Sequence, residues 1–263
     1  ASSFLSVPYI ANVTGLGTAV ENKGFLQSLT VLLYRIALIK VQRVFFQNRD
    51  NMDFFRERKI ALGKHSLLPG SGVNVIQYQP LEYPSDGNIE FAFISRILKE
   101  KGINQFLEMA KVIIAKYPKT RFHVCGSCEE RYEDILQQLQ KEGIIKYHGM
   151  VKDVREILRI THCTVHPSYY PEGLSNVLLE SCACARPIIT TNRSGCREVV
   201  DHGKNGYLVK PKNSEDLIAK VELFISLPYE QRKNMGIFGR EKVERYFNRE
   251  IVINKYLNEI NSN

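Results

Sequence analysis

From residue 89 onward the sequence alternates short β-rich runs with helical segments, and this alternation limits the possible folds more than any other feature. Strands are predicted at residues 89–95, 120–125, 144–149, 163–167, 188–191 and 206–209, and helices at 103–116, 132–142, 153–160, 174–185 and 214–226. The helices are amphipathic: one of them, 103–116, repeats apolar residues at the i, i+3, i+4, i+7 spacing of a single face. Repeated strand–helix–strand units predict an α/β, Rossmann-like domain, in which a parallel sheet has helices on both faces.

The first 80 residues show the same pattern in a shortened form. Strands are predicted at 8–13 and 44–47, helices at about 26–40 and 51–59, and a turn at 69–72. Two strands are too few for an independent sheet of this class. We therefore expect the chain to begin partway into a first domain.

Three regions follow from these patterns. Pro80, Pro84 and Gly87 cluster around residues 78–86 and predict a hinge between the two α/β regions. The last 35 or so residues contain no predicted strand. The expected organisation is a partial Rossmann-like domain at 1–82, a complete one at 83–228, and carboxy-terminal helices at 229–263 that pack back toward the first domain.

Charge limits the classes of partner. The chain of 263 residues has a net charge of +8 and a pI near 9.1, which favours contact with nucleic acid, an anionic membrane or phosphorylated small molecules. The basic residues are scattered, and the sequence lacks an RNP-like aromatic motif, a zinc finger and a long Lys/Arg run. No nucleic-acid partner is predicted.

Cysteine usage and hydropathy indicate the compartment. The six cysteines lie inside predicted elements and turns, not at the spacings of a disulfide scaffold. Cys125 and Cys128 could form a redox or half-zinc motif, but no second Cys or His pair follows, so small residues in a turn are the favoured interpretation. The apolar stretch 31–46 contains charged residues and falls short of the roughly 20 apolar residues of a membrane span. A cytoplasmic protein is predicted, and contact with the inner face of the plasma membrane stays open.

The segment 166–180, with the sequence HPSYYPEGLSNVLLE, carries the first candidate site. It comprises the end of a predicted strand, a loop with Glu172 and Gly173, and a helix that begins near residue 174. Ligands of parallel sheets bind beyond the carboxyl ends of the strands. Gly173 would let the backbone approach a ligand, and a helix N-terminus favours an anion such as a diphosphate. The backbone N–H groups expected to face that anion belong to Leu174, Ser175 and Asn176.

Two glutamates and a histidine of this segment are expected to have different roles. Glu172 would face a ligand in front of the helix, and Glu180, further along it, could accept both hydroxyls of a ribose. The alternative is that both are solvated residues of an ordinary helix. His166 precedes a proline in a strand and is interpreted as a packed histidine, not a base.

A second cluster follows the first strand of this domain. Ser95 and Arg96 end that strand, and Lys101 lies five residues later. An arginine can hold a phosphate by two parallel hydrogen bonds and a lysine acts as a point charge, so the pair could bind two phosphates. A surface pair beside a turn is the alternative. Gly126 and Gly149, which end later strands, are expected to line the same rim and leave room for a flat base.

Together these motifs resemble the family-4 retaining glycosyltransferases of the GT-B fold. The resemblance covers nearly all of residues 89–210, with the motifs Ser95-Arg96-x4-Lys101-Gly102, Glu172-x7-Glu180, Ser194-Gly195-Cys196-Arg197-Glu198 and Asn205-Gly206. It implies two Rossmann-like domains, the first incomplete in this chain and the second binding the nucleotide-sugar donor. It also implies that Arg96 and Lys101 hold the donor diphosphate, Glu180 the ribose and Glu172 the transferred sugar.

The front segment extends the resemblance. Residues 8–18 are similar to an acceptor-side loop of bacterial polysaccharide and lipid-linked-oligosaccharide members, which implies an acceptor role for Gly15, Leu16 and Gly17; an ordinary glycine turn is the alternative. The segment 25–46 mixes apolar with basic residues and could lie on an anionic membrane, although packing inside the first domain is the favoured interpretation. The family's early glycine-rich loop is absent from the chain.

The implied reaction is the transfer, with retention, of a hexose or N-acetylhexosamine from a UDP-sugar to a saccharide or polyprenyl-diphosphate-linked acceptor in cell-surface polysaccharide synthesis. The sequence has no Asp-x-Asp, which agrees with a site that uses neither a metal nor a cofactor. Two alternatives remain, a catalytically inactive nucleotide-sugar-binding module and a sugar-nucleotide epimerase. A dehydrogenase is disfavoured because no G-x-G-x-x-G follows a predicted strand.

Overall fold

The computed structural model describes residues 8–17, 20 and 24–261, and within these ranges the strands form two parallel sheets. The first sheet has the strand order β1-β2-β3, with β1 at Ile10–Val13, β2 at Arg43–Phe46 and β3 at His65–Leu67. Helices α1 (Phe25–Ala37) and α2 (Arg49–Glu57) connect these strands. Parallel neighbours need such crossovers, and helices supply them here.

The third strand corrects the prediction that only two strands precede the hinge. β3 has three residues, and none of them is fully buried. Its place in the sheet comes from pairing with β2, in which Val44, Phe45 and Phe46 lie opposite His65, Ser66 and Leu67. A three-residue strand of mixed polarity carries too little periodicity to be recognised from sequence.

The second sheet has six parallel strands in the order β6-β5-β4-β7-β8-β9. The strands are β4 Ile89–Ile94, β5 Thr120–Cys125, β6 Lys146–Tyr147, β7 Cys163–His166, β8 Ile188–Thr191 and β9 Gly206–Val209. The helices between them are α3 Ile103–Lys116, α4 Glu133–Lys141, α5 Val154–Ile160 and α6 Asn176–Ala183, and α7 Ser214–Ser226 follows β9. The chain leaves β4 toward one edge of the sheet and β7 toward the other, so the crevice beyond these two strands is the expected ligand position.

Both faces of the second sheet are covered by helices, as predicted. On one face a cluster of phenylalanines from β4, β5 and α3 forms the core, and the rings of Phe91 and Phe122 stack with centroids 5.5 Å apart. On the other face Leu178 and Leu179 of α6 pack with Ile188 of β8. The fold is therefore α/β with parallel sheets, and burial of two apolar faces supplies its main stabilisation.

The carboxy-terminal helices contact both sheets. Helix α8 (Tyr229–Tyr246) packs on α6, and α9 (Arg249–Asn261) crosses to the first sheet, where Val252 packs with Phe45 and Leu68. At the junction of the two helices, the Val73 N–H donates to the carbonyl oxygen of Phe247 at 2.8 Å. These contacts agree with a tail that returns to the first region, while the domain limits at 82/83 and 228/229 stay a prediction.

Helix α1 packs by one face only. Its Val31 and Tyr34 contact the apolar cluster beside the first sheet. Six apolar residues on the remaining surface are 40–84% exposed: Phe25, Leu26, Leu29, Leu32, Leu33 and Ile36. The prediction that this segment packs inside the first domain is therefore correct for one face of the helix and wrong for the other. Among the described residues, no helix is long and apolar enough to cross a membrane.

Candidate functional site

The two sheets face each other across a cleft of ≈ 510 Å³. The lining residues from the first region are Thr14, Gly15, Gly17, Gln47 and Ser71, and those from the second are Arg96, Lys101, Tyr170, Pro171, Glu172, Gly173, Leu174 and Asn176. Most of these residues follow the carboxyl end of a strand, namely β1, β2, β4 or β7. The cleft therefore occupies the position that parallel-sheet topology favours for a ligand.

A buried ion pair forms one part of the cleft lining. The Lys101 ammonium contacts Oε1 of Glu172, and the Ser168 hydroxyl donates to the same oxygen at 3.0 Å. Burial alone would raise the pKa of Glu172, but its contacts with His166 and Lys101 outweigh this effect and lower the pKa to about 2. Glu172 is thus a carboxylate at neutral pH, held in place by three neighbouring side chains.

His166 lies directly behind this ion pair. Only 1% of its surface is exposed, its Nε2 lies 3.2 Å from the Ser175 hydroxyl, and the same atom lies 3.5 Å from the Glu172 carboxylate. The prediction of a packed histidine is confirmed by this burial. The sequence did not reveal that the packed ring also supports Glu172, because nothing in a linear pattern shows which side chain a strand-end histidine meets.

One group among the described residues has donor atoms close enough for a metal ion. Donor atoms of His166, Glu172 and Cys196 lie within 4.8 Å of one another. The Lys101 ammonium already contacts the Glu172 carboxylate, so a positive charge is present at that oxygen. Burial raises the pKa of the Cys196 thiol to about 12, which disfavours the thiolate form that binds metals. A metal-independent site stays a prediction.

Arg96 occupies the rim of the cleft. Its guanidinium donates to Glu129 at 2.8 Å, and the side chain is 48% exposed. The Tyr170 ring lies beneath both cations, 5.6 Å from the Arg96 guanidinium carbon and 4.8 Å from the Lys101 ammonium. The structure thus brings the two predicted phosphate-binding cations to one aromatic ring. The sequence interpretation missed Tyr170 and Glu129, although Tyr170 immediately precedes the Pro-Glu-Gly loop.

The helix predicted to begin near residue 174 begins two residues later. Ser175 is the N-cap of α6, and its backbone N–H is not free because it donates to the carbonyl oxygen of Gly195 at 2.8 Å. Leu174 is buried in the apolar cluster with Leu178. The N–H of Ser175 is therefore unavailable to an anion, which corrects the prediction, and Asn176 is the first helical residue that lines the cleft.

Two of the predicted glycines are needed for close packing. A Cβ at residue 173 would overlap the Thr14 carbonyl oxygen and the Gln47 side chain, so Gly173 allows the two regions to meet. At residue 126, where φ is +144°, a Cβ would overlap the carbonyl oxygen of Ser95. Gly126, Gly149 and Ser95 are not among the residues that line this cleft, and their predicted place at the rim for a flat base stays a prediction.

Glu180 lies one helical turn beyond Asn176 and does not line the cleft either. Burial raises its pKa, whereas a hydrogen bond with Tyr78 acts in the opposite direction. The same contact helps to raise the pKa of the Tyr78 hydroxyl to about 12, after burial as the main cause. The proposed role of Glu180 toward a ribose stays a prediction.

The predicted acceptor-side loop reaches the same cleft. Gly15 and Gly17 line it, and Gly17 has a φ of +70°, which favours glycine. Leu16 turns toward the apolar cluster of the first region and borders a second cleft of ≈ 530 Å³, which also contacts Gly17 and Pro171. Loops from both sheets therefore meet at one place, and the acceptor role of Gly15, Leu16 and Gly17 stays a prediction.

The protein is an α/β protein of GT-B type. Proteins of this type have a cleft at the carboxyl ends of two parallel sheets, as is found here. A family model described as glycosyl transferases group 1 matches residues 81–242. The chain belongs to this family.

Known relatives and structures agree with that assignment. The chain is 26% identical over 242 residues to the N,N'-diacetylbacillosaminyl-diphospho-undecaprenol alpha-1,3-N-acetylgalactosaminyltransferase of Campylobacter jejuni, with 86% of this chain and 63% of that protein covered. It is 28% identical over 273 residues to the capsular polysaccharide biosynthesis glycosyltransferase CapM of Staphylococcus aureus, with 95% and 70% covered. The chain thus spans about two thirds of the length of these two relatives.

Two solved structures share the fold. Anabaena HepE in complex with UDP superimposes with a TM-score of 0.83 at 18% identity, over 99% of this chain and 74% of that one. The carboxy-terminal domain of a group 1 glycosyl transferase, LpcC of Francisella tularensis, superimposes with a TM-score of 0.58 at 27% identity, over 67% of this chain and 99% of that one. The first comparison supports the two-sheet arrangement and the second supports the fold of the six-stranded sheet.

Proposed function

We propose that the protein containing this chain is a retaining glycosyltransferase that moves a hexose or N-acetylhexosamine from a UDP-sugar to a saccharide or polyprenyl-diphosphate-linked acceptor. The observation that carries the proposal is the convergence of Arg96, Lys101 and Glu172 on one cleft between two parallel sheets. Two cations suit a diphosphate, and a fixed carboxylate suits the hydroxyl groups of a sugar. The polysaccharide-related names of the relatives support the substrate class.

In this proposal the protein acts mainly through electrostatics. Negative charge grows on the diphosphate as the bond to the sugar breaks, and Arg96 and Lys101 stabilise it. Because Lys101 also contacts Glu172, one ammonium group would bind the diphosphate and at the same time hold the carboxylate that positions the sugar. The acceptor hydroxyl attacks from the face that the diphosphate leaves, its proton passes to a donor phosphate oxygen, and configuration is retained without a protein nucleophile.

The acceptor is proposed to bind on the side of Gly15, Leu16 and Gly17. These residues border the second cleft of ≈ 530 Å³, which adjoins the first cleft at Gly17 and Pro171. The Campylobacter relative is named for a diphospho-undecaprenol-linked acceptor, which supports a lipid-linked saccharide here. A donor cleft and an adjoining acceptor cleft would place both substrates within reach of one another.

Contact with the anionic inner face of a membrane is the second part of the proposal. The exposed apolar residues of α1 are accompanied by the exposed Arg35 and Lys40, and the chain has a net charge of +8. An apolar helix surface with basic neighbours binds where headgroups meet acyl chains.

The full-length protein should co-sediment with vesicles rich in anionic phospholipid, and substitution of Leu29, Leu33 and Ile36 by serine should abolish this binding. Unchanged binding would contradict the assignment of this face, and Met150→Ser is the control at a distant exposed residue.

The enzymatic proposal is tested by product formation. Full-length protein is incubated with radiolabelled UDP-sugars and a polyprenyl-diphosphate-linked saccharide, and the anomeric configuration of the product is determined by NMR. Transfer with the donor's configuration retained is expected. Binding of donor without any product would support the inactive-module alternative, and conversion of the free nucleotide sugar to its epimer would support the epimerase.

A further inference from the structure

Asn48 links the first region to the loop that carries Glu172. It follows β2 and is 1% exposed. Its Nδ2 donates to the carbonyl oxygens of Glu172 at 3.1 Å and Gly173 at 2.7 Å. Its Oδ1 accepts from the backbone N–H of Asn51 at 2.9 Å and so caps helix α2. Both amide hydrogens and the carbonyl oxygen are used, so these partners fix the orientation of the amide.

The same loop is held from a second direction. Gly173 packs so closely on the Thr14 carbonyl and the Gln47 side chain that no other residue fits there. Thr14 follows β1 and Gln47 follows β2, so these contacts, like those of Asn48, come from the ends of the first sheet. The backbone of Glu172 and Gly173 thus lies between two regions of the molecule, although the Glu172 carboxylate points to Lys101 in the second region.

Asp50, two residues after Asn48, makes another contact between the two regions. Its two carboxylate oxygens each accept from the Arg197 guanidinium at 2.7 Å. The Arg197 side chain is 39% exposed. Arg197 belongs to a short helical turn after Gly195, whose carbonyl oxygen accepts from the N–H of Ser175. The amino end of α2 therefore contacts both loops that border the start of α6.

We propose that Asn48 is a positioning residue, which holds the Glu172 loop in its ion-paired conformation through contacts made from the first region. The inference rests on the proposed transferase function. Without the Asn48 amide, the carbonyl oxygens of Glu172 and Gly173 lose their side-chain donor, and the loop is free to move the carboxylate away from Lys101. Placement of the sugar-binding carboxylate in the second region then depends on a residue of the first region.

The test replaces Asn48 by aspartate in the full-length protein. Asn48→Asp keeps the Oδ1 cap of α2, because aspartate caps helices as well as asparagine does, but it turns the donor amide into a carboxylate oxygen facing two carbonyl oxygens. Asn213→Asp is the matched control, since Asn213 caps α7 through its Oδ1, which accepts from the Asp216 N–H at 2.7 Å, far from the cleft. Thermal unfolding of both variants checks that the fold is retained.

Two measurements are compared between the variants. Turnover of Asn48→Asp should fall about 100-fold, the loss expected when a catalytic group is displaced by about 1 Å. Its affinity for the intact sugar donor should also fall, while its affinity for the free nucleoside diphosphate should stay within about twofold of the wild-type value. Without ligand, amide hydrogen exchange in the segment 168–175 should become faster in Asn48→Asp and stay unchanged in Asn213→Asp. Identical amide hydrogen exchange in the two variants would overturn the positioning role of Asn48, whether or not sugar transfer is detected. A wild-type protein without transferase activity would overturn the proposed function but not the positioning role.

Discussion

Lys101 and Glu172 form the buried ion pair on which catalysis is proposed to depend, and Arg96 supplies the second cation at the rim. The residue pattern predicted all three. It could not show that Glu172 is held by Lys101, His166 and Ser168 together, because these contacts join separate loops. Asn48 and Tyr170 were missed for the same reason, since a single asparagine or tyrosine after a strand has no recognisable spacing.

The first prediction concerns the cation at the rim. Arg96→Ala in the full-length protein should lower turnover about 100-fold, the effect expected when one group that stabilises developing charge is removed. The variant should unfold at nearly the wild-type temperature because Arg96 is half-exposed and paired with a surface glutamate. Lys116→Ala is the control, since Lys116 forms a similar exposed pair with Glu222 on the far side of the molecule. Equal turnover in the two variants would refute the role of Arg96.

A second prediction concerns the pH dependence of stability. The pKa of Glu172 is lowered from 4.5 to about 2 in the folded protein, so its contribution to stability is present above pH 4.5 and is lost as the pH falls through about 2. Between pH 5 and pH 3 the wild type should lose about 2 kcal/mol more free energy of unfolding than Glu172→Gln. Urea unfolding followed by circular dichroism at several pH values measures the difference. Parallel pH profiles would show that Glu172 is not held as a carboxylate.

At the scale of elements, the long amphipathic segments were predicted most accurately. Helix α3 and strand β5 have the predicted limits, because each combines a clear apolar periodicity with a clear end signal. Strand β3 was missed, since three residues of mixed polarity join the sheet only through their neighbour. The start of α6 was placed two residues early, because a backbone hydrogen bond to Gly195 fixes Ser175 and tertiary contacts of this kind leave no mark in the local sequence.

The predicted hinge at 78–86 forms hydrogen bonds with Arg186, which is fully buried. Its guanidinium donates to the carbonyl oxygens of Leu158 at 2.6 Å, Leu81 at 3.1 Å and Glu82 at 2.6 Å. Burial lowers the pKa of Arg186 to about 10. The linker between the two sheets is thus attached to the second one by a charged group whose hydrogen bonds are made to backbone oxygens.

The third prediction follows from this attachment. Arg186→Leu should lower the free energy of unfolding by roughly 3 kcal/mol or more, because several buried carbonyl oxygens lose their donor at once. Arg121→Leu is the control: Arg121 is exposed but also donates to backbone carbonyl oxygens, and its replacement should change stability by less than about 0.5 kcal/mol. Chemical denaturation measures the free energy of unfolding of the two variants. A similar decrease in both would show that the hydrogen bonds of Arg186 to the linker do not stabilise the fold.

At the scale of the whole molecule, the alternation of strands and helices predicted one complete parallel sheet and part of a first domain, but not how closely the two regions meet. The sequence placed Gly15 and Gly173 in different domains on opposite sides of a site. In the structure the loop after β1 packs directly on residues 171–173, and the amino end of α2 binds the same segment. Contacts between domains depend on shape at a distance of many residues, and no local pattern encodes them.

The central claim is that the cleft between the two sheets binds a nucleotide sugar through its diphosphate. Isothermal titration calorimetry of the full-length protein with UDP, GDP, ADP and their sugars measures this most directly. We predict that one of these nucleotides binds and that the double substitution Arg96→Ala with Lys101→Ala weakens its binding at least about tenfold, because each cation contributes a charge-assisted contact to the diphosphate. Binding of that nucleotide with equal affinity by wild type and double variant, or no binding of any of them, would contradict the claim.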